Sequence, residues 1–162
     1  MSRTRVREYG LLVAAVIGRS LCIPKHFGFI VIFAVPFAAA WIVYSIIVAV
    51  RSPARRRVQA SKALVLAATF SLIAAAHLYY ARASRADAQE VADAVLNFKA
   101  REGRFPEHAA QLGIDEVQLQ RKWMLRYLLV SGKPWLIYAM TFTPFEAYDF
   151  DFGTRTWLYR PD

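Results

Sequence analysis

The chain has 162 residues, 57% of them hydrophobic and 20% charged, an apolar share above that of an ordinary soluble domain. Its net charge of +9 is unevenly placed: residues 1–80 hold ten Lys or Arg against Glu8 alone, while residues 81–162 hold eleven of each sign. Basicity confined to the flanks of apolar runs serves lipid headgroups and membrane orientation, and argues against nucleic acid as a partner; the single cysteine, Cys22, excludes an internal disulfide and a multi-cysteine metal centre.

Residues 1–26 join a basic start to a short apolar run at 11–18 that Arg19 interrupts. A crossing needs ~20 apolar residues, so this run reads as a signal-peptide core, a helix in the interface, or a strained first span with Arg19 reaching one surface. Arg19 and Pro24 stand where a small-residue cleavage site would be, which favours a retained interfacial or partly inserted helix over residues 9–24. Residues 27–50, FGFIVIFAVPFAAAWIVYSIIVAV, form an uncharged transmembrane run with a kink expected at Pro36. The connection 51–62 carries Arg51, Arg55, Arg56, Arg57 and Lys62 and no acid, which marks it as cytoplasmic. Residues 63–80, ALVLAATFSLIAAAHLYY, make the second span, so the hairpin places residues 81–162 outside the cytoplasm. Small residues recur at Ala34 and Ala38 in the first span and at Ala67, Ser71 and Ala75 in the second. That spacing permits close helix approach, either between the two spans or with a partner's transmembrane helix. His77 falls near the exported end beside Tyr79 and Tyr80, where an interfacial histidine reaches water.

The second span passes without Gly or Pro into an amphipathic helix with Ala88, Val91, Ala92, Val95 and Phe98 on one face, ended by Gly103, Phe105 and Pro106. Residues 107–113 read as a short helical turn, and 115–122 as a polar linker or turn of helix. Strands are expected over 123–131, 135–142, 146–152 and 155–160, with turns at 132–134 and at Gly153 and Thr154. In the third strand Tyr148, Phe150 and Phe152 share one face and Asp149 and Asp151 the other. A four-stranded antiparallel meander laid on the helix face Ala88, Val91, Val95 and Phe98 gives a two-layer α+β domain, and the whole chain a membrane α+β protein.

A membrane helix that emerges as a long amphipathic helix, ends in a Gly-x-aromatic-Pro signal and precedes a small aromatic β region resembles type IV pilins and the pseudopilins of type II secretion. The residues that carry the resemblance are Tyr79, Tyr80, Ala81, Ala83, the run 86–98, Gly103, Phe105, Pro106 and Leu112. Pilins begin with a short basic leader, a Gly-Phe cleavage site and an early Glu. Here residue 63 follows RSPARRRVQASK and another apolar run, and Gly28-Phe29 has no Glu near it. The resemblance therefore implies an accessory of pilus or related filament assembly: a non-enzymatic bacterial inner-membrane protein with a periplasmic C-terminal domain and pilin subunits as partners. Its helix 63–102 would lie beside pilin helices through Ala67, Ser71 and Ala75 while its sheet meets their heads. A minor pilin or pseudopilin, and a membrane-anchored periplasmic binding or immunity protein, are the alternative readings.

Some pseudopilins bind calcium near their C-terminal strands, which directs attention to Asp149 and Asp151. A twelve-residue calcium loop starting at Asp149 puts Gly153 at the fifth position and Arg160 where a bidentate Glu is needed, so a solvated strand face, with cross-strand pairing to Arg155, is the expected role. His26 and His108 have no partner at a metal-site spacing. No Gly-x-Ser-x-Gly, phosphate loop, dinucleotide fingerprint or His-Glu-x-x-His occurs, and the expectation is a protein without enzymatic activity or cofactor.

Overall fold

The computed structural model describes Val16, Ser20 and residues 22–161. The expected interfacial helix over residues 9–24 lies largely outside the described residues. The chain divides into two compact units, Met1–Leu78 and Tyr79–Asp162.

In the first unit, helix α1 covers Ile30–Arg51 with Pro36 inside it. Many of its apolar side chains, Phe33, Val35, Phe37 and Ile46 among them, are more than half exposed, and Ser45 is its one buried residue. An exposed surface of this composition suits lipid and not water. Ser52 and a short 3-10 turn, Pro53–Arg55, lead directly into helix α2, Arg56–Glu102. The basic connection expected over 51–62 is therefore mostly helix, with Arg56, Arg57 and Lys62 in the first turns of α2. The turn is tight because the orphaned carbonyls at the end of α1 find donors nearby: Ser52 N–H donates to Val48 O, and Arg56 Nε to Ala49 O at 3.0 Å. Both helices are long and apolar enough to cross a membrane.

The second unit begins within α2. After that helix, Gly103 adopts φ +72°, a 3-10 turn covers Ala109–Leu112, and a short helix α3 occupies Glu116–Trp123. The Asp115 side chain caps α3 by accepting from the N–H groups of Val117 and Gln118, and Met124, left-handed at φ 52°, stops it. Trp123, which sequence reasoning puts in the first strand, is thus the last residue of a helix. Four strands follow, β1 Arg126–Val130, β2 Lys133–Ala139, β3 Ala147–Asp151 and β4 Thr156–Arg160, in the antiparallel order β1-β2-β3-β4. The first hairpin turns on Ser131 and Gly132, both at positive φ, so Lys133 and Pro134 belong to β2 and not to the turn. Two successive positive-φ residues are what a two-residue hairpin loop of type I′ requires. Pro134 fits in an inner strand because β2 pairs with β3 only at residues 137–139, leaving no ladder partner for the N–H that proline lacks.

The core of this unit lies between α2 and one face of the sheet. Ala88, Val91, Ala92 and Val95 are at most 2% exposed and cluster with Tyr127, Leu136, Tyr138 and Phe150. Tyr148, Phe152 and Trp157 pack against the cluster from the same sheet face. Small residues on α2 let the helix sit close over the bulky sheet residues, the alternation of sizes that dense packing needs. Phe98 is only half-buried, and its ring faces the Arg104 guanidinium instead of the sheet; Leu96 packs on the core in its place.

Candidate functional site

Ala67, Ser71 and Ala75 are all exposed on α2. The buried residues of that stretch, Ile73 and His77, fall on a different side of the helix. No close backbone approach runs along α1 and α2, so the packing of one span on the other through small residues is not realised among the described residues. His77 is likewise not a water-facing interfacial group: it is 7% exposed and its Nε2 meets the Cys22 carbonyl at 2.7 Å, the ring N–H donating to the backbone oxygen. The five expected topology residues, Arg51, Arg55, Arg56, Arg57 and Lys62, stand around the turn between the helices.

In the second unit polar anchors tie α2, and the segment that follows it, to their surroundings. Lys122 Nζ and Trp123 Nε1 both donate to Asp87 Oδ2, joining α3 to α2, and the hydrogen bond to Asp87 raises the Lys122 pKa. Trp157 Nε1 donates to Gln89 Oε1 at 2.8 Å, joining β4 to α2. Tyr127 Oη donates to the buried Pro106 carbonyl at 2.8 Å, joining β1 to the segment after the helix.

The carboxylates singled out as a calcium candidate are occupied by protein. Asp149 accepts from Arg160 Nη2 at 2.8 Å, and the partner is Arg160, diagonal across the β3–β4 ladder, not Arg155. Asp149 is also 8% exposed, so it is not a solvated face residue. Asp151 accepts from Gly153 N–H at 2.7 Å and from the Thr154 hydroxyl, which closes the loop before β4; the Gly153 bond is the larger cause of its lowered pKa. Among the described residues no group of three or more His, Cys, Asp or Glu side chains could hold a metal.

Two features escape sequence reasoning. The sheet face turned away from α2 carries Leu128, Val130, Trp135 and Leu158, each more than 40% exposed. The other is a cavity of about 400 Å³ lined by Arg85 with Tyr138, Thr141, Tyr148 and Trp157. The Arg85 guanidinium lies 4.9 Å from the Trp157 ring centre and 5.7 Å from that of Tyr148. Burial pushes the Tyr138 hydroxyl above its ordinary pKa, partly offset by a hydrogen bond with Arg85. Thr141 is 2% exposed, and its hydroxyl has no hydrogen bond among the described residues. These residues lie far apart in the chain, and only the strand register brings them together.

Fold and site together define an α+β protein in which two helices are long and apolar enough to cross a membrane, a layout that points to membrane association. Comparison with family models, with curated proteins and with solved structures returns no match.

Proposed function

We propose that this chain is a membrane-anchored accessory protein that works by protein–protein contact, with pilin-like subunits as its partners. The observation that carries the reading is the exposed face Ala67, Ser71 and Ala75, on the same unbroken helix that further along supplies Ala88, Val91 and Val95 to the core of an antiparallel α+β unit. A pilin-like subunit has the same succession of membrane helix and helix-on-sheet head, so the two molecules can lie in register through their helices. Small residues let the backbones approach closely, and in lipid that packing supplies the association energy that hydrophobic burial supplies in water. The five basic residues around the turn hold it in the cytoplasm of a bacterial cell, which places the C-terminal unit in the periplasm. The protein acts by binding and catalyses no reaction.

A second reading rests on the exposed apolar sheet face. Leu128, Val130, Trp135 and Leu158 would there capture a periplasmic protein, with the helices serving only as an anchor. Photo-crosslinkers at Ser71 and at Trp135 in living cells separate the two. The accessory reading expects a pilin-type product from Ser71, lost in the Ala67→Leu/Ala75→Leu double variant while insertion and the folded unit persist. A product from Trp135 alone, with a protein that is not pilin-like, would replace it with the anchored binding module.

A further inference from the structure

The Arg85 cavity has the chemistry of an anion site, and three independent observations give it that character. The exposed Arg85 guanidinium lies over the Trp157 and Tyr148 rings and also hydrogen-bonds Tyr138, so three aromatic side chains hold it while its other N–H donors face the cavity. Among the described residues no carboxylate lies at ion-pair distance from Arg85, whereas Arg104, Lys122 and Arg160 each have one. The hydroxyl of Thr141, a residue only 2% exposed, lines the same cavity and makes no hydrogen bond among the described residues, so it is open to a ligand or water there. At about 400 Å³ the space admits a phosphate and the small group esterified to it.

We propose that this cradle binds a phosphate group, with Arg85 giving paired N–H donors to two of its oxygens and Thr141 a third donor. Planar bidentate donation is the geometry in which Arg recognises phosphate. The source that position favours is a phospholipid headgroup. Arg85 lies five residues beyond Tyr80, where the apolar run ends, a rise of about 7.5 Å along the helix, which is headgroup depth if residues 63–80 span. The lipid assignment rests on that membrane reading; the anion chemistry of the cradle does not. A lipid held there would tie the C-terminal unit to the bilayer surface.

The test uses the full chain in maltoside micelles, with tryptophan indole ¹⁵N labels and the Trp157 resonance assigned by loss in Trp157→Phe. Phosphatidylglycerol is titrated against diacylglycerol, which lacks the phosphate, and sodium phosphate against sodium chloride at equal ionic strength. The expected result is a saturable shift at Trp157, absent at Trp135, with phosphatidylglycerol and not with diacylglycerol. Affinity should fall about tenfold in Arg85→Gln and in Arg85→Lys, which keeps the charge but not the planar fork, and less than about threefold in Arg82→Gln. Thr141→Val should weaken binding with the Trp157 resonance otherwise in place. A shift with sodium phosphate of the same Arg85 dependence, and none with the lipid, identifies a free phosphate ester as the ligand and keeps the cradle. Carbonate extraction of membranes reads the spanning helices separately: an extractable protein removes the lipid source alone. No Arg85-dependent shift with either phosphate in an inserted, folded protein overturns the proposal.

Discussion

Tyr127 offers a perturbation whose size follows from the structure. Its ring is 5% exposed, and its hydroxyl donates to the carbonyl of Pro106, itself under 2% exposed, so Tyr127→Phe keeps the apolar surface but strips a buried acceptor of its partner. An unsatisfied buried carbonyl costs about 1–3 kcal/mol. Burial also pushes the Tyr127 pKa up from 10.0 to about 12. Because the folded value is the higher one, the unfolded chain ionises first as pH passes 10. The contribution of Tyr127 is therefore complete below pH 10 and is lost between pH 10 and about 12, at ~1.4 kcal/mol per pH unit, roughly 3 kcal/mol across the window. Urea unfolding of the full chain in maltoside, followed by tryptophan fluorescence from pH 8 to 11.5, reads both effects. The variant should unfold at lower urea at pH 8 and then lose less stability above pH 10 than the wild type; Tyr138, also raised by burial, leaves it a residual slope. Equal slopes in the two proteins above pH 10, or equal midpoints at pH 8, would refute the reasoning.

Other perturbations probe other parts of the C-terminal unit. Val95 is fully buried, and Val95→Asp should make the unit protease-sensitive in spheroplasts while the protein stays in the membrane, since a lone buried carboxylate is among the costliest single changes. Arg160→Gln leaves the nearly buried Asp149 without its cation and should cost about 1 kcal/mol, a value held low by the exposure of Arg160; Asp149→Asn in the same protein should recover part of it by urea titration. The Asp151 carboxyl is held below its ordinary 3.8 by the Gly153 N–H and the Thr154 hydroxyl, so its contribution is present above pH 3.8 and lost as pH falls through the lower folded value. In Asp151→Asn the acid limb of the stability profile should be shallower there, and an unchanged limb would place the loop's stability elsewhere.

Much of this architecture is legible in the sequence because its signals are local. The passage from an uncharged run to the Ala88, Val91, Val95 periodicity declares one helix with two surroundings, and the alternation of Tyr148, Phe150 and Phe152 declares which side of β3 meets the core. Boundaries fail where propensity competes with capping: WMLRYLLV reads as strand from its first residue, yet the Asp115 cap and the left-handed Met124 keep Trp123 in a helix. Ser131 hid the first hairpin turn, since Gly132-Lys133-Pro134 looks more turn-like than Ser-Gly. Asp149 lies on the outer face that alternation gives it, but alternation says nothing of cover, and Arg160 shields it from the neighbouring strand. The Arg85 cradle has no local signal at all: it exists only once α2 lies over the β2, β3 and β4 register.

The most direct measurement of the central claim, a membrane anchor with its C-terminal unit outside the cytoplasm, is labelling of an exposed cysteine. Gln118 is exposed on α3, and Cys22 is the only native thiol and is buried, so Gln118→Cys in a Cys22→Ser background presents a single reactive site. A membrane-impermeant maleimide applied to spheroplasts should label the protein fully before lysis, in a fraction that alkaline carbonate does not extract. Labelling only after lysis would put the unit in the cytoplasm and contradict both the topology and the pilin-directed function built on it.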